Sequence, residues 1–135
     1  MLQASLMSGL AISITRTALA HSISYPITAR YRMPHGLACG FTLPAILGFN
    51  AQADDGRLAE MARRLGFTSV QDLQKHLTQL LTLLEVDMAV KNYVCSLEDL
   101  LELAPEMLAP GRADNNLRLA EIDDVREILR AALSF

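Results

Sequence analysis

Apolar residues along this chain recur at intervals of three and four, with no stretch of strict alternation, so the pattern predicts helices and no strands. Leu2 to about Ser24 is apolar nearly all round, and its polar positions are mostly small (Ser5, Ser8, Ser13, Thr15, Thr17). A helix apolar on every side is expected to be buried, with the small residues letting neighbours approach. It starts without a capping sequence, which suggests that the structural unit begins upstream of Met1. Pro26 and Pro34 then punctuate the chain, and a second buried helix is predicted from Pro34-His35 to about Asn50, bent near Pro44.

Asp54-Asp55-Gly56 reads as a turn. Residues 57–65 read as a short helix burying Leu58, Met61, Ala62 and Leu65 and closed by Gly66. Thr68 with Gln71 has the spacing of a capping box ahead of a stripe of Leu73, Leu77, Leu80, Leu81 and Leu84. Ser96 with Asp99 opens another helix, with Leu97, Leu100, Leu101 and Ala104 inward, ending near Pro105. A loop over 109–118 precedes a last helix that buries Ile122, Val125, Ile128, Leu129 and Ala132. Its acids Glu121, Asp123 and Asp124 come first and Arg130 late, matching the helix dipole. The expected class is all-α, a helical bundle forming one domain over residues 1–135.

Composition agrees: 51% of the 135 residues are hydrophobic, enough to bury a core, and there is no Trp. Charge changes the picture more. Residues 1–50 contain Arg16, Arg30 and Arg32 and no Asp, Glu or Lys, whereas all 15 acidic residues follow. Three arginines without a basic run do not make a nucleic-acid footprint. Residues 33–53 are uncharged with neutral His35, yet Pro34, Pro44, Asn50, Gln52 and three glycines within them argue for a core segment over a membrane span. Residues 1–22 lack the positive start of a secretion signal, and Arg16 interrupts the apolar run. Cys39 and Cys95 form no CxxC and read as a reduced, cytoplasmic pair.

The candidate chemistry is His21 and His35. On one unbroken helix, fourteen residues apart, they would be separated by about 21 Å. A shared metal therefore needs the chain to fold back, and Pro26 and Pro34 offer two breaks. Pro34 also sets His35 into the first turn of the next helix. From the residues alone, each His is either a ligand or a satisfied core imidazole. Asp72 and His76 also have metal-ligand spacing, i and i+4, but they border the leucine stripe and the capping box, so a solvated helix face is the expectation there.

The run Gly9-Leu10-Ala11, Ala18-Leu19-Ala20-His21, Tyr25-Pro26-Ile27, Pro34-His35-Gly36-Leu37-Ala38, Leu43-Pro44, Phe49-Asn50 resembles group III, iron-containing alcohol dehydrogenases, closely over about 40 residues and in character beyond. The resemblance implies that the fold is that family's C-terminal helical domain and that His21 and His35 bind the active-site metal, Fe²⁺ with Zn²⁺ as the other candidate. It implies that an Asp and a third His come from an Asp-x-x-x-His segment upstream, and that NAD(P) is bound mainly by an N-terminal domain. Where many members have a second His four residues after the first ligand, this chain has Tyr25, expected to line the site and to be a poorer proton relay. Leu37 replaces the Glu of the glycerol dehydrogenase-like and dehydroquinate synthase-like branches.

Ser22 to Tyr31 and Pro34 to Cys39 are most similar to members associated with phosphonate metabolism. That implies a small alcohol or aldehyde substrate bearing a phosphonate, with Arg16, Arg30 and Arg32 as possible anion holders. The expected state is a homo-oligomer, with no nucleic acid or membrane partner. The alternative is a non-catalytic helical interaction module with structural histidines.

Overall fold

The computed structural model describes residues 2–133; their regular structure is all helical, with no strand among them. Helix α1 spans Leu2–Thr15, α2 Leu19–Tyr31, α3 His35–Gly40, α4 Leu43–Ala51, α5 Arg57–Arg64, α6 Val70–Leu83, α7 Val86–Lys91, α8 Leu97–Glu102 and α9 Ile122–Ala132. Short 3₁₀ turns occupy Ala104–Met107 and Ala113–Asn115. None of these helices is long and apolar enough to cross a membrane.

The expected first helix is two helices. The chain leaves α1 at Arg16, whose φ of 63° is left-handed, and re-enters helix at Leu19. Asn115 holds this break by donating its amide to the carbonyl of Thr15 (2.6 Å), at the end of α1, and to that of Thr17 (3.1 Å) in the connection. Burial of α1 was also expected, but none of its residues is buried: Leu2 is 90% and Ile14 83% exposed. Its apolar surface has no covering element among the described residues.

Pro26 does not break the chain; it lies inside α2. A proline in a helix interior costs about 3 kcal/mol. Here Leu19, Ile23 and Ile27, all 0% exposed, form a stripe at four-residue spacing that carries the helix through it. Each such aliphatic side chain contributes about 1.5–3 kcal/mol on burial, enough to offset that cost. The reversal falls instead at Arg32 (φ 54°, ψ 25°), whose N–H closes α2 on the Thr28 carbonyl at 3.0 Å.

The main core gathers α2, α3, α4, α8, α9 and the Ala104–Met107 turn around Ile23, Ile27, Leu100, Met107, Val125 and Leu129. A smaller cluster of Leu47, Ala62, Val70 and Leu73 joins α4, α5 and α6. Gly48 lets α6 approach closely, for a Cβ there would lie 2.5 Å from Gln74 Nε2, which donates to the Pro44 carbonyl.

The helix starts and the satellite elements differ in detail from expectation. The cap of α6 is Ser69, accepting from the Asp72 N–H at 3.1 Å, while Asp72 reaches back to Thr68. Leu80 and Leu84 run out of core and are exposed, as are Met61 and Leu65, which border a surface groove with Leu43 and Leu77. In the last helix Val125, Ile128 and Leu129 are buried, but Ile122 at its first turn is exposed. Helix α7 was not foreseen; it follows Glu85 in a left-handed conformation and anchors the core through Val90.

The Asp54 carboxylate accepts from the N–H groups of Gly56, Leu58 and Ala59 at 2.9–3.1 Å, satisfying the open start of α5. Asp54→Ala is expected to cost about 1 kcal/mol, read as a lower urea midpoint with unchanged slope; an unchanged midpoint would show that water serves those donors equally well.

Candidate metal centre

The fold-back needed to join the two histidines is built locally. After the left-handed Arg32, Met33 (1% exposed) plugs into the core and pins the connection. Pro34, with φ −52° and ψ 132°, then caps α3 and accepts from the Ala38 N–H at 3.0 Å. His35 is thereby fixed at the first position of α3, facing His21 on the opening turn of α2. Their ring centroids lie 5.3 Å apart at an interplanar angle of 61°. The roughly 21 Å of an unbroken helix has been removed by one turn of chain.

Burial holds His21 below the usual imidazole range, and the neighbouring His35 lowers it further, since two imidazolium ions would repel. Neutral imidazole is the form that binds a metal. Ser24, fully buried, donates to the His21 carbonyl at 2.8 Å and lies 3.5 Å from His35 Nδ1. With Nδ1 facing Ser24, Nε2 of His35 is the nitrogen left for a ligand. Cys39, one helical turn on, places Sγ 3.6 Å from Nε2 and 3.8 Å from Nδ1. His21, His35 and Cys39 each offer one donor atom within 4.8 Å of the others, and no carboxylate joins them among the described residues. Two neutral imidazoles beside a thiol suit a borderline divalent ion such as Zn²⁺ or Fe²⁺ better than a hard one such as Mg²⁺.

Tyr25 lies beside the histidine pair. Its ring stacks on His35, centroids 6.0 Å apart and 25° from parallel, and its outer face carries the Arg112 guanidinium at 4.3 Å. Neither Cys39 nor Arg112 was singled out from sequence. The first had a readable signal, four residues after His35 on a helix; the second comes from a remote loop and had none. Arg16 and Arg32 occupy helix breaks, and both are exposed, as is Arg30. Leu37 packs against the main core. Asp72 is committed as a cap: one of its carboxylate oxygens accepts from both the N–H and the hydroxyl of Thr68 at 3.0 Å, and those bonds hold the carboxyl below its usual range. His76 is exposed and packs on Phe67, ring centroids 5.0 Å apart.

Residues 1–133 match a family model described as the Fe-containing alcohol dehydrogenase family, C-terminal. Among similar proteins, the sulfoacetaldehyde reductase of Bilophila wadsworthia is 30% identical, covering 97% of this chain and 37% of its own. The phosphonoacetaldehyde reductase of Streptomyces viridochromogenes is 43% identical over 53 residues, 39% of this chain and 13% of its own. Among solved structures, an iron-containing alcohol dehydrogenase from Thermococcus thioreducens superposes with a TM-score of 0.81 at 29% identity, covering 96% of this chain and 35% of that one. Relatives that match along nearly all of this chain are thus about three times its length, the match covering 37% of the reductase and 35% of the dehydrogenase.

Proposed function

Since the chain belongs to the Fe-containing alcohol dehydrogenase family, as the C-terminal domain that its residues 1–133 match, we propose that His21 and His35 are two protein ligands of the catalytic metal in an NAD(P)-dependent alcohol dehydrogenase or aldehyde reductase. The observation that carries this reading is the convergence of the two rings to 5.3 Å across a purpose-built reversal of the chain. The bound ion, Fe²⁺ or Zn²⁺, supplies Lewis acidity that polarises the substrate oxygen. The chain's own part is to bring both imidazoles to one point. Ser24 stands 3.5 Å from His35 Nδ1, burial favours the neutral form of His21, and Tyr25 stacks on the His35 ring.

In this reading residues 1–135 form one helical domain that supplies part of the site. No carboxylate stands in the cluster among the described residues, so the family's Asp and third His come from outside them. The nicotinamide cofactor is held mainly by a separate dinucleotide-binding domain, and the enzyme works in the cytoplasm.

For the substrate we favour a small aldehyde carrying an anionic group, a sulfonate or phosphonate. Two similar proteins bear names of that kind, and Arg112 sets a guanidinium, suited to bidentate contact with such oxyanions, on the Tyr25 rim of the site.

Two outcomes are expected of the 135-residue chain by itself. It gives no alcohol-dependent NAD(P) reduction with added Fe²⁺ or Zn²⁺, because the hydride acceptor's domain and the family's Asp and third His are not in it. It also self-associates, since Leu2, Leu6, Met7, Leu10 and Ile14 of α1 are more than half exposed and an apolar surface of that extent rarely stays open to water. Turnover above a buffer blank would overturn the division of the site. A monomer by light scattering would remove the homo-oligomer.

A further inference from the structure

We propose that Cys39 is a third protein ligand of the same centre, a thiolate that turns the histidine pair into a three-donor site for a thiophilic divalent ion. The inference rests on the reading of His21 and His35 as ligands and goes beyond it. The placement begins in the sequence: Cys39 follows His35 by four residues on α3, so both side chains leave the same face of that helix. Zn–N bonds of 2.0–2.1 Å and a Zn–S bond of 2.3 Å in a tetrahedral site put nitrogen and sulfur about 3.5 Å apart. Cys39 Sγ stands 3.6 Å from His35 Nε2. The three donor atoms lie within 4.8 Å of one another, close enough for one ion to be reached by all three after small side-chain adjustments.

Two further observations favour sulfur as a ligand over sulfur as filler. Cys39 Sγ lies close to both ring nitrogens of His35, 3.6 Å from Nε2 and 3.8 Å from Nδ1, and Ser24 already stands 3.5 Å from Nδ1, so Nε2 is the nitrogen open to share an ion with the sulfur. And residues 1–50 contain no Asp or Glu, so within this segment the Cys39 thiol is the side chain that most readily brings negative charge to a divalent ion, its reference pKa of about 8.5 lying below the phenol's of about 10. On binding, the S–H proton leaves to solvent and the sulfur lone pair takes its place on the ion; no redox change is involved. A thiolate among the ligands shifts preference toward Zn²⁺ and Co²⁺ relative to a site of imidazole and carboxylate alone. Cys95, the other cysteine, is exposed and stands outside the cluster, which makes it an internal control.

The test is a Co²⁺ titration of the reduced full chain, followed by optical absorption. Ligand-field bands report any low-symmetry site, and a sulfur-to-cobalt charge-transfer band in the near ultraviolet reports a thiolate ligand. The charge-transfer band is expected in the wild type and in Cys95→Ser, and absent in Cys39→Ser and Cys39→Ala, with Co²⁺ affinity weakened about tenfold or more. Circular dichroism of the Cys39 variants, at an already half-exposed position, checks that the helices are kept. Ligand-field bands without charge transfer in the wild type would overturn the role of Cys39 and leave the histidine pair standing. Loss of the band in Cys95→Ser alone would overturn it too. No cobalt bound at all would overturn both the thiolate and the histidine reading.

Discussion

Alanine at His35 is expected to weaken divalent-metal binding by about a hundredfold or more, with His21→Ala close behind. Removing groups that merely support a ligand typically costs ten- to a hundredfold, and a direct ligand costs at least that. His35 is exposed and contributes little to the core, so the loss comes without unfolding, and the helical circular dichroism should match the wild type. The controls are Asp72→Ala and His76→Ala, which have metal-ligand spacing yet serve as helix cap and ring contact, and which should bind metal as the parent does. Calorimetric titration with Zn²⁺ decides it. Equal affinity in His35→Ala and wild type would mean that the imidazoles are structural and that the helical-module alternative holds.

The second large effect lies in the scaffold. Ile23→Ala is expected to destabilise the chain by about 2–5 kcal/mol, the range for emptying a fully buried aliphatic site. Ile23 sits at 0% exposure between Leu19 and Ile27, in the stripe that holds α2 together across Pro26. Its neighbours in sequence, Ser22 and Ser24, tie α2 to the Met107 carbonyl and to His35. A cavity there loosens the helix that carries His21 and Tyr25, so metal affinity should fall along with stability. Urea unfolding with an unchanged slope measures the first effect; a loss under about 1 kcal/mol would place the weight of α2 elsewhere than on this stripe.

The helices with one apolar face were legible from periodicity. The stripe of α6 begins where Leu73 is buried, and α9 buries Val125, Ile128 and Leu129 as its spacing foretold. The histidine pair was legible because two prolines in fourteen residues demanded a reversal, although the chain turns at left-handed Arg32 and runs helical through Pro26. That difference has a physical cause. Local proline chemistry favours a break by about 3 kcal/mol, but three buried aliphatics outweigh it, and only tertiary packing reveals them. The split at Arg16 was illegible for the same reason, being held by Asn115 from a distant loop. Burial of α1 was expected from its composition and is not found among the described residues, because an apolar helix carries no signal of which element would cover it. Arg112 shows the matching limit at the site: a guanidinium that reaches the Tyr25 face from far along the chain leaves no local pattern.

The most direct measurement is anomalous diffraction from crystals of the chain soaked in Zn²⁺ or grown anaerobically with Fe²⁺. The account predicts an anomalous peak between α2 and α3, with nitrogen of both His21 and His35 at about 2.0–2.2 Å from the ion. An ion bound at Asp72 and His76, or no peak within reach of the two imidazoles, would contradict it.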